Sequence, residues 1–220
     1  MQRLRVRYAK RGRLRFSSTR DFQRALERAL RRSAVPVAFS AGFHPHPRIS
    51  YANAAPTGTA SEAEYFEIQL TEHREPEQLR AALDGALPAD LVILDVAPAL
   101  PDALADRLEA SVWRLDFAAD DTDAVQSAVT DLLARDDASV TRMTKRGERE
   151  FDVRGAIAAL TTEAGTMTLV LRHLTPLVRP DDVLAALRSY GGFRPTRAPL
   201  VTRLAQGPLG ADGVVGDPLR

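Results

Sequence analysis

Within a few dozen residues of its start the chain changes its hydrophobic period from that of a strand to that of a helix, and this change constrains the fold most. Arg3-Leu4-Arg5-Val6-Arg7-Tyr8 alternates strictly, so Leu4, Val6 and Tyr8 share one face of a strand and three arginines the other. Ala9-Lys10-Arg11-Gly12 has turn composition, and Arg13-Leu14-Arg15-Phe16 resumes the alternation. The pattern predicts a hairpin with Tyr8 and Phe16 inward and up to five guanidinium groups on its outer face. Phe22, Ala25, Leu26, Ala29 and Leu30 then fall at helical spacing, with Arg20, Arg24, Arg28, Arg31 and Arg32 away from that stripe. Ser17, Ser18 and Thr19 offer N-caps, Asp21 suits the first turn, and Pro36 ends the segment. A half-buried strand beside an amphipathic helix excludes all-α and all-β folds.

The same mixture continues. Val37-Ala38-Phe39 and Ile49-Ser50-Tyr51 read as short strands, followed by a strand at 64–70, a helix at 76–87 and a strand at 91–96. Beyond Ala97-Pro98-Ala99-Leu100-Pro101 and a short helix near 102–108 comes a second set. Its strands are predicted at 112–117, 139–144, 149–153, 167–173 and 200–204, with helices at 122–133 and 181–190. Trp113 falls in a strand and is expected in the core. The order predicts an α+β fold of two ferredoxin-like split β-α-β half-domains with antiparallel sheets. The expected boundaries are a basic domain at 1–98, a second domain at 110–206 and a flexible, Gly-rich tail at 207–220.

Charge sharpens the division. Residues 1–50 hold thirteen Lys/Arg and two acids, a net of +11, while the rest of the chain carries −10, so the formal total of +1 conceals two poles. A basic pole without an apolar insertion stretch points to an anionic partner, nucleic acid before membrane. No run has the length and apolarity of a membrane helix, and no signal-peptide block follows Met1, so a cytoplasmic protein is expected. The chain has no cysteine, which excludes disulfides, a thiolate nucleophile and an iron–sulfur cluster held by its own thiolates. No cofactor is expected.

The expected RNA- or partner-binding set is Arg5, Arg7, Lys10, Arg11, Arg13, Arg15, Arg20, Arg24, Arg28, Arg31, Arg32 and Arg48, with Phe43, His44 and His46. Gly42-Phe43-His44-Pro45-His46-Pro47 cannot be helical, because each proline drives its predecessor to extended geometry. Phe43 on that loop is the stacking candidate for an unpaired base. His44 and His46 are the candidate acid–base groups, although no zinc-type spacing accompanies them. Glu62 and Glu64 share a strand face and are expected to pair with arginine. Gly58-Thr59-Ala60-Ser61 lacks the lysine and spacing of a phosphate loop. Lys145-Arg146-Gly147 and Gly191-Gly192-Phe193-Arg194-Pro195 read as turns; with Arg197 and Arg203, the latter is either a second phosphate-contact loop or a plain helix stop.

Lys10, Gly12, Arg15-Phe16, Ser18, Asp21, Arg28-Ala29 and Arg31-Arg32, with the Gly42-Phe43-x-Pro45-x-Pro47 element and Ser61-Glu62-x-Glu64-Tyr65 after Gly58, resemble the radical-SAM-associated (radical-SAM-linked) protein family, a domain of unknown function. The resemblance implies a partner, a radical SAM protein with a cobalamin-binding region, and marks Ser18, Asp21, Gly42, Pro45, Pro47, Gly58, Ser61, Glu62 and Glu64 as motif positions. The family pattern reads Ser-His-x-Asp where this chain has Ser18-Thr19-Arg20-Asp21, so any role of that histidine is in doubt here. The reading is an accessory protein of a radical SAM enzyme, without intrinsic catalytic motif, that binds transfer or ribosomal RNA or presents substrate through its basic face. Two alternatives stand beside it: a small RNA-processing or hydrolytic enzyme using His44 and His46, and a protein-interaction module without RNA affinity.

Overall fold

The computed structural model describes residues 1–144 and 147–220, so the Lys145-Arg146 part of one expected turn lies outside the described residues. The chain forms two units, one of Met1–Leu108 with Asp217–Arg220, the other of Glu109–Gly216. Among the described residues, no helix is long and apolar enough to cross a membrane.

In the first unit the order is β1 (Gln2–Lys10), α1 (Thr19–Arg32), β2 (Ile49–Ala52), β3 (Ala60–Leu70), α2 (Pro76–Asp84) and β4 (Leu91–Pro98). The strands form an antiparallel sheet ordered β4-β1-β3, with β2 also on β3. Register pairs Leu4 with Ile68 and Val6 with Phe66, so one sheet face is continuously apolar. Phe22, Leu26 and Leu30 of α1, and Leu79 and Leu83 of α2, close over that face. Tyr8 stacks on Phe22 at 4.0 Å between ring centroids. The opposite face is covered too, with Ala63 and Tyr65 packed against Leu104, Leu108 and Leu219.

Two expectations fail here. Residues Gly12–Phe16 form a short 3-10 turn rather than a second strand. Gly12 stands at φ +49, which turns the backbone out of extended geometry, and the Arg11 N–H is held by the Asp90 carbonyl at 2.9 Å. Phe16 is therefore exposed instead of inward, beneath the Arg15 guanidinium at 4.7 Å. Val37 and Phe39 make only isolated bridges, to Leu70 and Pro47.

The second unit runs β5 (Ala110–Asp116), α3 (Thr122–Leu133), β6 (Ser139–Thr144), β7 (Gly147–Asp152), α4 (Val153–Ala156), β8 (Ile157–Glu163), β9 (Thr166–Arg172), α5 (Pro180–Gly191) and β10 (Leu200–Gly207). Its sheet is ordered β10-β5-β9-β8, and β6-β7 is a separate hairpin. Without that hairpin and α4, the two units share one β-α-β-β-α-β order and one order of paired strands. The core lies between the sheet and α3 and α5, with Trp113, Leu115, Val125, Leu132, Leu169 and Leu187 buried.

The expected flexible tail is folded in the structure. Leu209 bridges Val215, the Gly216 N–H donates to the Pro208 carbonyl at 2.8 Å, and Leu219 is 3% exposed in the first unit. Turn-forming composition marks tight turns here, not disorder, because an apolar residue beyond them finds a buried seat.

Candidate nucleic-acid interface

Most of the basic N-terminal stretch divides into two groups with different surroundings; outside them, Arg13 (exposed) and Arg15 (half-buried) lie on the 3-10 turn, and exposed Arg48 donates to Gln69 Oε1 at 3.2 Å. On β1, the arginine face meets carboxylates and carbonyls. The side chain of Arg5 is fully buried, with Nε 3.3 Å from Glu67 Oε2 and Nη2 3.3 Å from Asp102 Oδ1. Its guanidinium also donates to the Asp102 carbonyl and, at 3.4 Å, to the Pro218 carbonyl. Arg3 pairs with Glu67 at 3.1 Å, and Arg7 Nε donates to the Glu62 carbonyl at 2.8 Å. Arg11 forms a two-pronged bond to Glu62, at 2.7 and 2.6 Å. Lys10 is 5% exposed, with Nζ 3.5 Å from the Ala55 carbonyl. Arg5 and Lys10 thus face the interior, not an incoming partner; of the guanidinium array expected on an outer face, Arg5 is buried and Arg7 half-buried, while Arg3 and Arg13 stay exposed.

The motif acids belong to this structural network. Glu62 holds Arg11, and Glu64, 2% exposed, accepts the Ala55 N–H at 3.1 Å. Ser61 is buried and accepts the Ala63 N–H at 3.2 Å. Gly58 stands at φ +92 and donates to the Arg15 carbonyl at 2.8 Å, which ties the loop before β3 to the 3-10 turn.

The second group lies on α1. Ser18 Oγ accepts the Asp21 N–H at 3.2 Å, and Asp21 accepts the Ser18 N–H at 3.0 Å and its hydroxyl at 2.7 Å. This reciprocal cap starts the helix. The Ser18 hydrogen bonds, with lesser help from Arg24 and Arg20, hold the Asp21 carboxyl below the ordinary carboxylate range. The two motif positions Ser18 and Asp21 are thereby accounted for, and Thr19 is an exposed first residue of the helix. Ala, Leu, Arg and Gln are good helix formers, and the Phe22–Leu30 stripe is buried as its spacing requires. Arg20, Arg24, Arg28, Arg31 and Arg32 are all exposed, and none is in an ion pair among the described residues. Arg32 only reaches the Ala86 carbonyl at 3.3 Å.

Beside the C-terminal end of α1 lies the His-Pro loop. It leaves the fold at Ala38, whose N–H donates to the Gln69 carbonyl, and returns at Arg48, whose N–H donates to the Ala38 carbonyl, both at 2.8 Å. The Phe39–Pro47 bridge and a Ser40 N–H bond to the His46 carbonyl at 2.9 Å close its neck. Phe43 at its tip is fully exposed and Phe39 is 52% exposed. Gly42 takes φ +116 with open space around it, so the tip is shaped by backbone need rather than by packing. His46 Nδ1 shares a 2.9 Å hydrogen bond with Ser40 Oγ, and His44 is exposed. Neither ring faces a carboxylate among the described residues, and these hold no cluster of three or more metal-ligating side chains. Between loop and helix is a cleft of about 340 Å³, lined by Leu30, Val35, Phe39 and Pro47 with Glu27 and Arg31 at its edge. Phe39 and this cleft were missed in the sequence, because Val37-Ala38-Phe39 had the composition of an ordinary strand.

The Gly191–Pro195 segment is a helix stop. Gly192 sits at φ +65, Phe193 is buried and packs edge-on against Phe117 at 5.5 Å, and Arg203 is buried with its guanidinium over Trp113.

Taken together, fold and site define a two-unit α+β protein that neutralises one basic strand internally and presents one basic helix to solvent. The chain belongs to the family described as "uncharacterized protein conserved in bacteria (DUF2344)", whose model matches residues 3–180, well over half of its length. No curated protein matches it.

Proposed function

We propose that the chain is a non-catalytic accessory protein that binds RNA through α1 and the His-Pro loop. The observation that carries this reading is the contrast just described: five α1 arginines are exposed without an ionic partner, whereas those of β1 are paired or hydrogen-bonded within the fold. Arg20 to Arg32 spans about 18 Å along the helix, roughly five nucleotides of a stacked strand. Phe39, which shares a cleft with Arg31, and Phe43 at the loop tip supply exposed faces on which unpaired bases stack, which favours single-stranded RNA over duplex. The resemblance to radical-SAM-associated proteins supplies the enzyme partner, a radical SAM protein with a cobalamin-binding region. The shared strand order of the two units supports reading each as a ferredoxin-like split β-α-β half. For a hydrolytic role of His44 and His46 the surroundings offer one contact, the 2.9 Å Ser40–His46 bond, with no orienting acid beside either ring among the described residues.

The test is a gel-shift comparison of transfer RNA, a ribosomal RNA fragment and an unstructured oligonucleotide, with nuclease-treated co-purification of the radical SAM partner. Binding that is strongest for unpaired RNA is the expected result. Partner capture that survives nuclease treatment, with no RNA affinity at low salt, overturns the reading in favour of a pure interaction module.

A further inference from the structure

The β6-β7 hairpin breaks a rule that sheets ordinarily obey. Arg142 and Arg149 are direct cross-strand partners, on the face they share with Val140 and Phe151. Like charges placed opposite one another destabilise a strand pair. By strand alternation, Glu148 and Glu150 lie on the other face and do not offset them. Arg142 is held rigidly: its Nη1 is 2.7 Å from Asp182 Oδ2, its Nη2 donates to the Leu177 carbonyl at 3.4 Å, and its guanidinium lies 4.1 Å over the Phe151 ring. Asp182 is 2% exposed, and its Oδ2 also accepts the Arg179 N–H at 2.8 Å. Arg149 and Arg179 are exposed, and neither side chain is in an ion pair among the described residues. Arg142, Arg149 and Arg179 line one concavity of about 310 Å³ whose walls include Phe151, Pro176 and Leu177.

We infer that this concavity, in the second unit and independent of α1, is a binding site for the phosphate group of a small phosphomonoester. Asp182 balances one guanidinium, and the two that remain match a dianion. Planar guanidinium forks fit tetrahedral phosphate oxygens in paired hydrogen bonds. The apolar wall gives the ester's organic part a surface to lie on. Arg142 has its counter-charge in Asp182, whereas Arg149 opposite it and Arg179 are in no ion pair among the described residues, and a bound phosphate supplies the charge these two lack.

The experiment is thermal unfolding of the full chain in inorganic phosphate, and separately in adenosine monophosphate, against chloride at equal ionic strength. The parent should gain about 3–6 °C at ten times the dissociation constant. Arg149→Gln should be at least as stable as the parent in chloride, because it removes a like-charge pair, and should lose the phosphate-specific gain. Any general effect of phosphate as a salt acts on both proteins alike and cancels in the comparison. A gain retained in Arg149→Gln, or none in the parent, overturns the site. Affinity of Arg149→Gln for single-stranded RNA is the second readout: unchanged binding leaves the site to a free monoester, whereas weakened binding assigns it to the monoanionic diester phosphates of RNA and overturns the monoester reading. Loss of RNA affinity on changing α1 leaves this phosphate response intact, so failure of the one reading is distinguishable from failure of the other.

Discussion

Replacing Arg5 with alanine should be among the most damaging single changes to the first unit. The Arg5 side chain is fully buried, and its loss strands several partners at once. Glu67, 14% exposed, keeps Arg3, and Asp102 keeps Arg107 at 3.0 Å, but the Asp102 and Pro218 carbonyls lose a charged donor. Removing one member of a buried ion pair costs about 3–5 kcal/mol, and the retained partners place this case near the lower figure, about 3 kcal/mol. For a chain of this size each kcal/mol shifts the midpoint by about 2–4 °C, so a loss of about 6–12 °C is expected by differential scanning calorimetry. Arg28→Ala, on the exposed face of α1, is the control and should stay within about 0.5 kcal/mol of the parent. Because Arg5 also holds the Asp217–Arg220 segment through Pro218, Arg5→Ala should speed amide hydrogen exchange of that segment relative to the parent. A midpoint within about 2 °C of the parent refutes the claim that the β1 arginines are structural.

Phe39→Ala with Phe43→Ala should weaken single-stranded RNA binding by about thirtyfold or more in fluorescence anisotropy and leave its salt dependence unchanged, since stacking, not charge, is removed. The Asp21 carboxyl is held below its ordinary range in the folded chain, so its cap contributes stability above the unfolded carboxylate pKa and loses it as pH falls through the lowered folded value. Asp21→Asn should therefore flatten the acid limb of stability against pH, read as urea midpoints below about pH 4. At Gly191 an added Cβ would stand 2.7 Å from Ala128 Cβ and 2.8 Å from its Cα, so Gly191→Ala should cost about 1–3 kcal/mol in the same urea assay by forcing α3 and α5 apart.

The helix α1 was legible because three independent signals coincide on it: a cap pair at Ser18 and Asp21, a five-residue apolar stripe, and good helix formers between. Strand β1 was equally plain, yet its arginines were misread. Alternation shows that a strand has two faces but not what covers the second, and the covering residues, Leu104, Leu108 and Leu219, come from far along the chain. The hairpin expectation failed at Gly12, where one left-handed residue outweighs a short alternating run. Strand β8 was missed because Ile157-Ala158-Ala159-Leu160-Thr161-Thr162-Glu163 carries neither clear alternation nor β-branched density at its start. In the candidate site, the arginines of α1 were identifiable one by one, whereas the cleft at Phe39 depends on a loop neck closed by backbone hydrogen bonds that leave no compositional trace.

The division between a structural basic strand and a functional basic helix is tested most directly by the salt dependence of single-stranded RNA binding. Five phosphate contacts predict a slope of log affinity against log salt of about −3.5, or roughly a 100-fold loss between 50 and 200 mM. Changing Arg20, Arg24, Arg28, Arg31 and Arg32 together to glutamine should bring that slope close to zero, while Arg3→Gln with Arg7→Gln should leave it as in the parent. A slope that survives the five α1 substitutions, or falls equally with the two in β1, contradicts the assignment of α1 as the RNA-contacting element.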